Sequence, residues 1–125
     1  MRAERGMVTV EMAMAMTALC IVAAAMAWMV SIAGIQARCV DAARDAARAL
    51  ARGETAEVGR QVGLRSAPDG AEIVLQTRGG VAEVTVRVNA RPRLPALRML
   101  PSIPVSARAV ITVEWSTVAD EATAH

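Results

Sequence analysis

The sequence has few of the residues from which large globular cores are normally built. Its 125 residues include no Phe, no Tyr and two Trp, although 54% of them are apolar. Aromatic rings usually supply much of the buried area of a core, so this apolar content must serve another purpose. Lysine is also absent, and all fourteen basic residues are Arg. Twelve acidic residues leave a formal net charge of +2, which is too small to indicate nucleic acid as a partner.

Residues that carry out catalysis or hold metals are equally scarce. The single histidine is the last residue, His125, and no histidine pair or glycine-rich phosphate loop is present. Cys20 and Cys39 lie 19 residues apart on one predicted helix, about 28 Å and far beyond disulfide reach. We therefore predict no enzyme activity, catalytic residue, cofactor, metal or small-molecule substrate. Both thiols are expected to be unpaired, with an intermolecular bridge through Cys39 left as an alternative.

The apolar residues are concentrated in one run. Residues 12–37 form 26 consecutive uncharged positions, rich in Ala, Met, Val and Ile. As a helix the run spans roughly 39 Å, more than the ~30 Å hydrocarbon thickness of a bilayer. A removable signal sequence has a shorter apolar centre and is the weaker interpretation. The run therefore predicts a single transmembrane helix, and its many small side chains favour packing beside other helices.

The next stretch, residues 38–52, predicts that this helix continues into water. It reads RCVDAARDAARALAR and contains neither Gly nor Pro. Three-residue spacing allows Asp41 to pair with Arg38 or Arg44, and Asp45 with Arg48. Gly53 is the expected helix end, so the whole helix would run over residues 8–52. Its small-residue face is expected to receive a packing partner and consists of Ala42, Ala43, Ala46, Ala47 and Leu50.

The remainder, residues 53–125, predicts a small β-rich domain. A short helix over 55–64, interrupted by Gly59 and Gly63, is followed by a turn at 68–70. Three alternating segments then predict strands at 71–76, 82–88 and 108–115, with a hairpin at Gly79-Gly80. Four prolines make residues 91–104 a connecting loop, and residues 119–125 are expected to fray. The predicted fold class is α+β, with an antiparallel sheet of about three strands packed on the outer half of the long helix.

The beginning of the chain combines a glycine and a carboxylate at the edge of the apolar run. Glu11 would cost on the order of 2–3 kcal/mol in the hydrocarbon unless it were paired. Cleavage after Gly6 would give Met7 a free ammonium and make Glu11 the fifth residue. That ammonium can then neutralise the Glu11 carboxylate of a neighbouring helix. Alternatively, Glu11 is a boundary residue whose side chain reaches back to the membrane surface.

This arrangement resembles the class III signal of type IV pilins and pseudopilins, which prepilin peptidase cuts after Gly. More narrowly, RGMVTVEMAM followed by DAARDAARALARG is similar to the TadE-like family, the minor pilins or pseudopilins of Flp (tight adherence) type IV pili. The resemblance covers most of residues 1–60 and implies a pilin-like fold. It makes Gly6 and Met7 the processing site and Glu11 the assembly carboxylate. The implied partners are prepilin peptidase, the lipid bilayer, other pilin subunits and the assembly machinery.

The resemblance also implies an organisation and a location for the chain. Its segments would be a leader (1–6), a transmembrane assembly helix (7–37), the soluble continuation of that helix (38–52) and a C-terminal domain (53–125). The C-terminal domain would lie outside the cytoplasmic membrane. Whether the protein enters, caps or only primes the fibre stays open, as do any adhesion target and the identities of the partner subunits.

Charge near the apolar run predicts a different membrane orientation. Arg2 and Arg5 precede the run, whereas four arginines follow it: Arg38, Arg44, Arg48 and Arg52. This bias favours a cytoplasmic C-terminus, the opposite of the pilin orientation.

The alternative function is a single-pass membrane protein whose outer domain binds or regulates a membrane complex. A membrane-tethered enzyme is a third and weaker alternative, because the sequence lacks recognisable catalytic groups.

Overall fold

The computed structural model describes residues 2–93, 95 and 98–113, and the chain divides into two compact units, residues 1–33 and 34–125. The predicted α+β class is confirmed, since one long apolar N-terminal helix precedes a three-stranded antiparallel sheet. The elements are α1 (Arg2–Ala51), α2 (Ala56–Ser66), β1 (Glu72–Arg78), β2 (Val81–Ala90) and β3 (Ile103–Thr112). α1 contributes residues to both units.

The first unit is helical throughout its described residues and leaves its apolar side chains uncovered. Within the part of the chain that the structure describes, Gly6–Ala51 is the one stretch long and apolar enough to cross a membrane. Its most apolar window has a mean hydropathy of 2.3, and none of that window is buried. A core helix of a soluble protein would bury such a surface. The described residues therefore contain a single candidate membrane span followed by a folded domain.

The turn between α1 and α2 is built by glycine and threonine. Gly53 has a positive φ of 83°, its N–H donates to Leu50 O, and the Glu54 N–H donates to Ala49 O. These two bonds form a Schellman motif, which ends a helix where a residue without Cβ can adopt the left-handed conformation. Thr55 then caps α2 by accepting a hydrogen bond from the Val58 N–H at 3.4 Å. The predicted helix end at Gly53 is confirmed.

The sheet has the order β1-β2-β3, with both neighbouring pairs antiparallel. The predicted hairpin is confirmed: Arg78 pairs with Val81, and Gly79 and Gly80 have φ values of 55° and 77°. Two positive φ values are typical of the tight turns that match the twist of paired strands.

The third strand begins earlier than the sequence predicts. β3 starts at Ile103 and includes Pro104, so the predicted loop over 91–104 is too long at its C-terminal end. The sheet order makes β3 an edge strand, where a residue without an N–H is tolerated because one side of the strand has no strand partner. The last two positions of the predicted strand, 114 and 115, and the predicted frayed end at 119–125 lie outside the described residues.

The core of the second unit consists of small side chains. Val84 and Val86 of the central strand are fully buried, and with Cys39 they are the largest side chains to be so. α1 contributes a stripe of five buried alanines: Ala42, Ala43, Ala46, Ala47 and Ala49. Leu50, also predicted for this face, is half-buried. Small side chains let helices and sheet approach closely, which accounts for a core whose described residues include no aromatic ring.

Candidate membrane and assembly surface

The residues predicted to form the processing and assembly site lie in the first turns of α1. A Cβ built on Gly6 would meet no atom within 4 Å, and the Met7 side chain is 70% exposed. Glu11 is exposed one helical turn after Met7 and therefore on the same face. In the described part of the chain its carboxylate has no hydrogen-bond or ion-pair partner. This face thus presents one carboxylate among uncovered apolar side chains.

The Gly6–Met7 peptide bond lies inside the helix, because α1 begins at Arg2. A protease that requires an extended backbone must first unwind this turn. Glycine lowers the cost of unwinding, since it is about 1 kcal/mol less favourable than alanine in a helix interior. Gly6 is therefore suited both to local opening and to close approach of an enzyme.

The apolar surface of the first unit continues over almost seven turns. Its exposed large side chains are Met7, Val8, Val10, Met12, Met14, Met16, Leu19, Ile21, Val22, Met26, Met29 and Val30. The hydroxyl of Thr17 donates to Ala13 O at 2.8 Å, so this polar group is satisfied by its own helix. A hydroxyl in hydrocarbon requires such a hydrogen bond within its own helix, because no water is present there to pair with it. The surface is thus suited to lipid or to neighbouring helices.

In the second unit, Gly59 and Gly63 of α2 pack directly against α1. A Cβ on Gly63 would lie 2.8 Å from Ile73 Cδ1, 3.0 Å from Ala42 O and 3.1 Å from Ala46 Cβ. One on Gly59 would lie 3.2 Å from Leu50 Cγ. The sequence predicts that these glycines interrupt a short helix, but α2 is continuous and they are its contact positions. Their four-residue spacing was the available signal, because it places two positions without side chains on one helix face.

Asp45 joins the two helices by a contact that the sequence analysis missed. Ser66 Oγ of α2 donates to Asp45 Oδ2 at 2.5 Å, in addition to the predicted ion pair with Arg48. These hydrogen bonds, first from Ser66 and then from Arg48, hold the pKa of the Asp45 carboxyl below its ordinary value. Arg38, predicted to pair with Asp41, instead donates through Nη2 to Ala67 O at 3.1 Å. Asp45 and Arg38 thus both stabilise the position of α2.

Cys20 and Cys39 form no disulfide with each other. Cys20 is exposed in the first unit, whereas Cys39 is fully buried. Burial raises the pKa of the Cys39 thiol, and the neighbouring Arg38 acts weakly in the opposite direction. Because its sulfur is covered, Cys39 could form an intermolecular disulfide only if the second unit opened. The structure therefore argues against that alternative.

The described residues contain no group of three or more His, Cys, Asp or Glu side chains placed to hold a metal ion. An open groove of about 320 Å³ runs beside Glu72, Arg87 and Ser106, but no nucleophile with a neighbouring base lies in it. Comparison of the chain with protein-family models, with curated proteins and with solved structures found no match. The roles of Gly6, Met7 and Glu11 therefore stay predictions from the sequence.

Proposed function

We propose that this protein is a membrane-anchored, pilin-like structural subunit: a minor pilin or pseudopilin of a Flp-type type IV pilus, similar to the TadE-like family. In this proposal prepilin peptidase removes residues 1–6, and α1 then anchors the subunit and joins it to other pilins. The C-terminal domain lies outside the cytoplasmic membrane. In this proposal the protein assembles with other pilins and has no catalytic activity.

One observation carries the proposal: Glu11 stands without a partner in the described chain, at the start of an uncovered apolar helix and five residues after Gly6. A carboxylate in that position destabilises an isolated span. It becomes favourable once a cation lies at the same depth. Cleavage after Gly6 creates that cation on Met7 of every subunit, so a bundle of processed helices can pair each carboxylate with a neighbour's ammonium.

A second candidate is a single-pass membrane protein whose external domain binds or regulates a membrane complex. A single candidate span followed by a folded domain, in the described residues, is sufficient for this candidate. The four arginines that follow the apolar run favour a cytoplasmic C-terminus and therefore support the orientation of neither candidate. Such a protein has no need for removal of residues 1–6. Processing therefore separates the two candidates.

The test is the N-terminus of the mature chain. We expect mass spectrometry of protein extracted from membranes that contain active prepilin peptidase to find Met7 as the first residue. Gly6→Leu should block this cleavage, since its side chain would occupy space that the peptidase needs for the backbone. Gly34→Ala is the matched control, because this second helical glycine also has no neighbour within 4 Å of a Cβ. An intact N-terminus in the parent protein would contradict the proposal.

A further inference from the structure

The second unit exposes a surface that is both basic and apolar, formed by Arg91, Arg98, Met99, Leu100 and Ile103, which we call the loop surface. Met99 is 97% exposed, Leu100 43% and Ile103 37%. Residues 91–102, which include most of it, contain three arginines and no acidic residue. Exposed apolar side chains beside unpaired basic groups are typical of segments that lie on a membrane surface.

Contacts on both sides of the loop surface lead to the end of the apolar run. Gln36 Nε2 donates to the carbonyl of Ser106, three residues after Ile103, at 3.3 Å. On the other side, Arg93 pairs with Asp69 at 3.5 Å, two residues beyond the Ala67 carbonyl that Arg38 binds. Gln36 and Arg38 flank residue 37, where the uncharged run ends. The loop surface therefore lies at the end of the second unit that contains Gln36 and Arg38.

Two other exposed apolar side chains of this unit, Val58 and Val110, have a different electrostatic setting. Val58 lies beside the ion pair of Glu57 and Arg60, and the sheet face of Val110 carries that of Glu83 and Arg108. At the loop surface, by contrast, neither Arg91 nor Arg98 forms an ion pair with another described residue. Its positive charge is thus available to an anionic partner.

We propose that the loop surface binds the anionic lipid headgroups of the bilayer that holds α1. Arg91 and Arg98 contact phosphates, while Met99 and Leu100 enter the interfacial layer. This inference rests on the membrane placement of α1 in the proposed function. Guanidinium groups bind phosphate through paired N–H donors, and each basic residue near an anionic surface favours the bound state by about fivefold. Because α1 already tethers the unit to the bilayer, contact requires no further association from solution.

The experiment measures how accessible the loop surface is in two lipids. The full chain carrying Cys20→Ala and Met99→Cys is placed in nanodiscs of phosphatidylcholine, or of equal parts phosphatidylcholine and phosphatidylglycerol. A water-soluble maleimide then labels the new thiol, and Cys20→Ala alone gives the background from buried Cys39. We expect labelling to be at least about fivefold slower in the anionic nanodiscs. Val58→Cys, at the far end of the unit where Gly59 meets Leu50, should label equally in both.

Charge is tested by paired substitutions in the Met99→Cys background. Arg91→Gln with Arg98→Gln should remove the difference between the two lipids. Arg52→Gln with Arg60→Gln, which removes the same charge from the far end of the unit, should preserve it. Labelling that is equal in both lipids overturns the loop-surface proposal.

The two proposals fail in distinguishable ways. Co-elution of the chain with nanodiscs at high salt and alkaline pH reports insertion of α1, and only this inserted fraction is labelled. A chain that does not co-elute overturns the membrane placement, and with it the proposed function. A chain that inserts but labels equally in both lipids overturns only the loop-surface contact.

Discussion

Gly63 shows how a single residue determines how closely two helices approach. Its missing side chain leaves room for Ile73 Cδ1, Ala42 O and Ala46 Cβ within 3.1 Å of where a Cβ would stand. The backbone oxygen of Ala42 cannot move aside without shifting a helix. Gly59 faces mainly the end of the flexible Leu50 side chain, which can rotate away. The two glycines are therefore expected to differ in tolerance.

We expect Gly63→Ala to lower the free energy of unfolding of the second unit by about 1–3 kcal/mol, because overpacking exceeds the gain in helix propensity. Gly59→Ala, the matched control, should change it by less than about 1 kcal/mol, since the same propensity gain meets a movable neighbour. Hydrogen exchange of the β2 amides in the full chain in detergent measures both. Equal effects of the two variants would mean that α2 is not held at the observed distance from α1.

Asp45 makes the stability of the second unit depend on pH. Hydrogen bonds from Ser66 and Arg48 lower the pKa of this carboxyl in the folded state. Its contribution is therefore fully present above the unfolded pKa of about 4 and is lost as the pH falls through the lower folded value. Glu57 acts in the same direction, because Arg60 and Gln61 lower its pKa as well.

We expect Asp45→Asn to reduce the loss of stability between neutral pH and about pH 3, because the titrating group is gone. The variant should be less stable than the parent at neutral pH by about 1 kcal/mol, and the two should converge in acid. Asp41→Asn, the control, removes the same charge from the same helix and should leave the stability at neutral pH close to that of the parent, because no side-chain hydrogen bond to α2 is lost. Urea unfolding at several pH values measures these profiles. An unchanged slope in Asp45→Asn would show that the Ser66 hydrogen bond does not form in solution.

At the scale of elements, α1 carries two surfaces of opposite kinds. Its residues in the first unit expose large apolar side chains, whereas its last four turns bury alanines. Both surfaces are apolar, and they differ in side-chain size. The alanines of the last four turns are small enough to pack closely against a protein partner. The bulky residues are suited to lipid, and the small residues admit α2 and the sheet.

This division predicts opposite tolerances along one helix. Ala46→Leu should lower the free energy of unfolding by about 1–3 kcal/mol, because Ala46 is fully buried beneath Gly63. Ala51→Leu is the control, since Ala51 is exposed on the same helix and should accept the change. Thermal unfolding of the full chain in detergent, monitored by hydrogen exchange of the sheet amides, compares the two variants. Equal stability of the two variants would contradict docking of α2 and the sheet on the alanine stripe.

At the scale of the whole molecule, the proposed function separates two roles: the second unit folds, and the helix of the first unit assembles with other subunits. Glu11 should therefore serve assembly and neither folding nor cleavage. Glu11→Gln keeps the shape but removes the charge that a neighbour's Met7 ammonium would bind. Glu11→Asp keeps the charge but shortens its reach by one methylene.

We expect Glu11→Gln to leave expression and removal of residues 1–6 unchanged while sharply reducing crosslinks to other pilins and the number of fibres. Glu11→Asp should retain part of the assembly. The readouts are mass spectrometry for processing, and crosslinking with electron microscopy for assembly. If Glu11→Gln assembled as the parent does, Glu11 would be a boundary residue that reaches the membrane surface.

The sequence by itself determined the features that depend on local pattern. An uncharged run of 26 residues, a helix that ends at Gly53, a Gly79-Gly80 hairpin and period-two strands are each encoded within a few neighbouring positions. The prediction for Gly6, Met7 and Glu11 rests on the same kind of local pattern, because these residues follow one another along one segment, and it stays a prediction.

Only the tertiary structure decided which distant residues meet. Ser66 forms a hydrogen bond with Asp45, 21 positions earlier in the chain, and Gln36 forms one with Ser106, 70 positions later. Gly63 lies at a contact between two helices, although the local sequence predicts an interruption of α2 there. β3 could include Pro104 only because the strand order left it at an edge. Such contacts depend on how elements pack in space, and no local periodicity records them.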